Sequence, residues 1–145
     1  MIMVVTALIA WLVTALGGFY LLATWIAKGG ARAPRTSKFP PALIFGHFAV
    51  AAVGLVLWIV YVVARTQALA WVSFVLLAVV AVLGFTMLFR WIPTYRESRA
   101  TVPAGSSASS AAVPAERHFP VVAVGGHGLL AVVTVVTVLL AALGV

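Results

Sequence analysis

Four stretches of this sequence contain no charged side chain: residues 1–27, 39–64, 66–89 and 119–145. All four are strongly apolar, and about 20 apolar residues in helical form are enough to cross the hydrocarbon core of a bilayer. Backbone polar groups in lipid must bond within their own segment, which a helix achieves. The sequence therefore predicts an all-α integral membrane protein: an up-down bundle of four transmembrane helices forming one membrane domain over 1–145. The helices are expected at about 3–26, 40–64, 68–92 and 119–145, with a Ser/Ala/Pro-rich flexible linker at about 100–116. The first run lacks a basic start and is too long for a signal peptide, so it reads as the first span.

Composition agrees and removes whole classes of chemistry. Of the 145 residues 65% are hydrophobic and only 8% charged, against roughly 25% charged in soluble domains. There is no cysteine, which excludes disulfides, cysteine-held iron–sulfur clusters and covalently attached haem. Only two carboxylate side chains exist, Glu97 and Glu116, so hydrolysis by paired carboxylates has no basis. No phosphate-binding loop is present, and the net charge of +7 does not indicate nucleic acid, because the cations sit at helix ends. Lys28, Arg32, Arg35 and Lys38 follow the first run, and Arg90, Arg96, Arg99 and Arg117 surround the end of the third and the linker. Only Arg65 lies on the other side. This bias places both long loops in the cytoplasm and both termini outside, in a bacterial inner or plasma membrane. Most of these cations read as topology signals that also touch anionic lipid. The five tryptophans mostly fall near helix ends, as an interfacial aromatic belt would.

The sequence also contains a repeat. Phe39-Pro40, five residues, then Gly46-His47 returns as Phe119-Pro120, five residues, then Gly126-His127. Gly18-Phe19, five residues, then Trp25-Ile26 returns as Gly84-Phe85, five residues, then Trp91-Ile92. The bundle is thus expected to be a duplicated helical hairpin whose two copies run parallel, related by an axis along the membrane normal.

The duplication makes a geometric prediction. His47 and His127 lie at equal depth, about two turns inside their helices, and Gly18 and Gly84 reach the same layer from helices running the other way. In an up-down bundle the two histidine helices are diagonal to each other, and so are the two glycine helices. Gly17, Gly46, Gly125 and Gly126 are expected to widen this layer. Ala51 and Gly54 below His47, with Ala131 and Thr134 below His127, should leave space toward the bilayer centre. Ionisable side chains at such depth are candidates for function. The pair is a candidate set of metal ligands, the two axial ligands of one b-type haem, with Gly18 and Gly84 at the macrocycle. Arg90, Arg96, Lys38 and Arg35 are the cations placed to pair with its propionates. His118 reads as an interfacial cation, and Trp91 with Tyr95 could instead line a quinone pocket.

At His47, His127, Gly18 and Gly84 the chain resembles the small membrane cytochromes b, and more loosely the haem-bearing membrane anchors of respiratory dehydrogenases and hydrogenases. The resemblance implies a haem b held between parallel helices by paired histidines, with glycines flanking the ring. It further implies electron transfer between a redox partner and the quinone pool, within a larger respiratory complex or a homo-oligomer. The chain departs from many such cytochromes in having one histidine pair, and so one haem near the cytoplasmic face. A different class of reading is a non-catalytic accessory subunit of a larger membrane complex, its histidines bonding between helices. A third is a small transporter using the histidines for protons or metal, which the lack of any membrane carboxylate weakens.

Overall fold

The computed structural model describes residues 1–32, 37–100 and 113–145. Four helices form: α1 (Ile2–Ala27), α2 (Pro41–Ala64), α3 (Gln67–Ala100) and α4 (Val121–Leu143), with a 3-10 turn at Ala115–His118. All four are long and apolar enough to cross a membrane, and the protein is an integral membrane protein. Arg35 and residues 101–112, most of the expected linker, lie outside the described residues.

The helix boundaries have local causes. Pro40 and Pro120 each occupy the N-cap, and Pro41 opens α2, where its fixed φ suits a helix and its missing N–H would lack a partner anyway. The α2–α3 connection closes through Arg65 in the left-handed conformation (φ 56°), its N–H bonded to the Tyr61 carbonyl at 2.8 Å. At the other end of α4, Gly144 (φ 81°) supplies the left-handed cap, a position that suits glycine.

Two expected boundaries differ. The third helix does not stop at Ile92 but passes through Pro93 and runs to Ala100. Proline forfeits one backbone hydrogen bond and crowds the preceding turn. Here Trp91 and Thr94, 7% and 3% exposed, are buried on either side of it, so packing holds the segment helical. The far end of the expected linker is also packed, since Ala115 and Glu116 are 3% and 0% exposed in the 3-10 turn.

The helices form a ring in which α1 packs chiefly on α4 and α2 chiefly on α3. The α3/α4 interface is smaller and the α1/α2 interface smaller still, while α1 and α3, like α2 and α4, are diagonal. Each tightly packed pair therefore joins one helix from each copy of the repeat. The buried side chains fall into two clusters. One, built on Trp11, Trp58, Tyr61, Leu77 and Val138, fills the end that carries the chain termini and the short turn. The other, built on Trp25, Phe39, Ile44, Trp91 and Ala115, fills the end that carries the two long segments. Trp11, Trp25, Trp58 and Trp91 are at most 7% exposed, so they form the core and not an aromatic belt; only Trp71 is exposed. Much of the remaining apolar surface is exposed, as lipid permits, because lipid tails are no less apolar than leucine.

Candidate functional site at the histidine layer

His47 and His127 lie between the two clusters. Each is the seventh residue of its helix, which places both about 9–10 Å along it. Their rings meet edge-on across the bundle with centroids 6.4 Å apart and planes inclined at 64°. Sequence spacing anticipated this meeting of two residues 80 positions apart.

The glycines supply the room the imidazoles occupy. A Cβ built on Gly18 would stand 3.1 Å from Cε1 of His127, and one on Gly84 would stand 3.3 Å from Cε1 of His47. Gly17 adds to the first contact, its Cβ position lying 3.5 Å from both Cβ and Nδ1 of His127. So α1 receives the histidine of α4, and α3 receives the histidine of α2. Gly46, Gly125 and Gly126 do not widen the layer, since a Cβ on any of them would meet nothing and the last two are exposed.

One ring is fixed by a hydrogen bond. Nδ1 of His127 lies 3.0 Å from the Thr14 carbonyl oxygen, which can only accept, so Nδ1 carries the proton and Nε2 presents a lone pair. His47 lies against the carbonyl of Val80, the repeat counterpart of Thr14, but falls short of hydrogen-bond geometry, and its buried Nδ1 has no partner.

The layers on both sides are closed. Toward the chain termini the expected space is filled: Trp11 packs on Gly54, whose Cβ position is 3.1 Å from the indole, and the Thr14 and Thr134 hydroxyls bond each other at 2.9 Å. Gly54 thus receives a large neighbour, and Thr134 is occupied by a bond across the α1/α4 interface. Toward the long segments the rings of Phe39 and Phe119 meet at 6.1 Å. Beyond them sits Glu116, which sequence reasoning counted only as one of two carboxylates. Its side chain accepts the Ser37 hydroxyl at 3.0 Å and the Lys38 N–H, while its own carbonyl accepts the Trp91 indole N–H at 3.2 Å. The Trp25 indole N–H reaches Ser37 Oγ at 3.2 Å. The one signal available in sequence was position, a rare acid three residues before the second Phe-Pro.

The basic residues do not gather at the histidines. Arg90 is exposed and donates to the Lys38 carbonyl at 3.1 Å, fastening the start of α2 to α3. Arg96 is also exposed and, twelve residues beyond Gly84, lies about 18 Å along α3 from the histidine layer. His118 is exposed, as an interfacial side chain should be. Tyr95 stacks on Trp91 at 5.0 Å and accepts a hydrogen bond from Arg99 at 3.1 Å.

Among the described residues no three His, Cys, Asp or Glu side chains come together, so side chains alone form no site for a metal ion. What the layer offers is two neighbouring imidazoles, one oriented by a hydrogen bond at Nδ1, in a seam between two helix pairs. No family model, curated protein or solved structure matches this chain.

Proposed function

We propose that this protein is a membrane electron-transfer subunit that holds one b-type haem between His47 and His127, linking a redox partner to the quinone pool. The observation that carries the reading is the separation of the two rings. Metal–imidazole bonds are about 2.0–2.1 Å, which sets each ring centre about 3.1–3.2 Å from the metal and two opposed rings about 6.3 Å apart. The centroids of His47 and His127 are 6.4 Å apart. Two ligands do not satisfy an ion such as zinc, which needs four, whereas a porphyrin brings the other four itself.

The chain's other residues support this assignment. The Thr14 carbonyl orients the His127 ring and favours a basic Nε2, as outer partners of metal-bound histidines do. A flat macrocycle parallel to the helices requires two of the four interfaces to open, and α1/α2 and α3/α4 are the two with least packing. Arg90, whose guanidinium donates to the Lys38 carbonyl at the long-segment end, and Lys38 itself would be the cations to pair with propionates there. Held by two histidines, such a group would supply one-electron transfer. The cation bias puts this end in the cytoplasm, where the partner would dock.

The second reading keeps the histidines as interhelical packing groups of an accessory subunit, and the imidazoles packed on Gly18 and Gly84 favour it. A reduced-minus-oxidised visible spectrum of the detergent-purified protein, with pyridine haemochrome quantitation, separates the two. Sharp low-spin b-type bands at about one haem per chain, lost in both His47→Ala and His127→Ala, are expected for a bis-histidine haem. A colourless protein from haem-replete cells, or bands that survive either substitution, would end the ligand assignment.

A further inference from the structure

The two histidines are counterparts in the repeat, yet their surroundings differ. His127 Nδ1 donates to the Thr14 carbonyl at 3.0 Å, while His47 Nδ1 is buried without a partner although the Val80 carbonyl stands in the matching place. The residue before the matched glycine also differs, being Gly17 in one copy and Leu83 in the other. At Gly17 the site of a Cβ is only 3.5 Å from His127 Nδ1, so the ring sits directly over bare backbone and reaches the carbonyl one turn away. Leu83, half-buried, carries a branched side chain at the corresponding position of the second copy, one residue before the glycine that meets His47.

We infer that the pair is unequal by construction: His127 is the anchored histidine, His47 is the displaceable one, and Gly17 and Leu83 are the positioning residues that set the difference. A donated Nδ1–H fixes tautomer and ring orientation and strengthens the opposite nitrogen as a ligand. His127 has this support and His47 lacks it. As a statement about ligands to haem this rests on the function proposed above; as a statement about the two rings it does not. Its consequence for a loaded site is a preferred side of exchange: a small neutral π-acceptor such as carbon monoxide would take the position of His47 and leave His127 bound.

The first test needs no cofactor. Nitrogen-15 NMR of histidine-labelled protein in detergent, with His118 assigned through His118→Gln, reads the tautomer of each ring. Expected is a single tautomer for His127, protonated at Nδ1, and two exchanging tautomers for His47. Leu83→Gly, with Leu83→Ala as the milder variant, should draw His47 into one tautomer, and Gly17→Leu should release His127. Matching tautomers in the wild type, or a His47 signal indifferent to both Leu83 variants, would overturn the inference. The second test exposes reduced, haem-loaded protein to carbon monoxide; Leu83→Gly should lower its apparent affinity on the order of tenfold. Unequal tautomers in a protein that binds no haem would remove the cofactor and keep the asymmetry. Haem binding with equal tautomers would do the reverse.

Discussion

A carboxylate oxygen of Glu116 accepts the hydroxyl of Ser37 at 3.0 Å, tying together two segments 79 residues apart with the acid fully buried. Through Ser37 the contact extends to Trp25, and through the Glu116 carbonyl to Trp91, the two tryptophans the repeat equates. One acid thus fastens both long segments over the mouth of the bundle. Glu116→Ala removes both carboxylate bonds, but the Ser37 hydroxyl keeps the Phe39 carbonyl at 3.2 Å as an acceptor and Lys38 is exposed, so the loss should cost about 1–3 kcal/mol. Glu116→Gln keeps an acceptor oxygen and should cost less. Thermal unfolding in detergent orders the three proteins; equal stability of wild type and Glu116→Ala would show that the contact does not hold the mouth.

The glycines divide into two groups with opposite expectations. Gly18→Ala and Gly84→Ala place a methyl 3.1 and 3.3 Å from an imidazole carbon, so the rings must shift by a few tenths of an ångström. Gly46→Ala meets nothing and should be neutral or stabilising by about 0.5–1 kcal/mol, the usual helix preference for alanine. The separation of the histidine signals in NMR spectra should change in the first two variants and stay fixed in the third.

The Thr14–Thr134 bond crosses from α1 to α4 one layer below the histidines. Each hydroxyl also lies 2.8 Å from the carbonyl four residues before it, so when one donates across the interface the other still satisfies its own helix. A double-mutant cycle of Thr14→Val and Thr134→Val should give a coupling of about 0.6 kcal/mol, and no more than about 1.7, as measured for such bonds between membrane helices. A coupling of zero would mean that each threonine serves only its own backbone.

Sidedness can be read directly because the chain has no cysteine. Single substitutions Ala31→Cys and Thr66→Cys place one thiol at each end of the bundle. With intact cells a membrane-impermeant maleimide should label Thr66→Cys at once and Ala31→Cys only after permeabilisation. The reverse pattern would invert the orientation read from the cations.

Much of this was legible in the residues. Charge-free runs gave the four helices, because lipid leaves the backbone few alternatives. Matched spacing gave the histidine layer, because helical rise converts sequence offset into depth. What was not legible depended on partners that spacing cannot name. Gly54 reads as empty space until Trp11 is seen to fill it, and Trp25 and Trp91 read as interfacial until Ser37 and Glu116 supply partners for their N–H groups. Pro93 reads as a stop because the rule for proline is local, whereas the burial of Trp91 and Thr94 is tertiary.

Gly18 belongs to the first copy and meets the histidine of the second; Gly84 belongs to the second and meets the histidine of the first. Neither hairpin, taken alone, contains a complete contact of this kind. Two separate copies would complete both at once, each lending the other what it lacks, as the subunits of an isologous dimer do across their two-fold axis. The histidine layer is therefore the geometry of a homodimer written into one polypeptide. Within one chain the two halves need not be identical, and Gly17 in one copy against Leu83 in the other is a place where they differ next to the histidine-facing glycines.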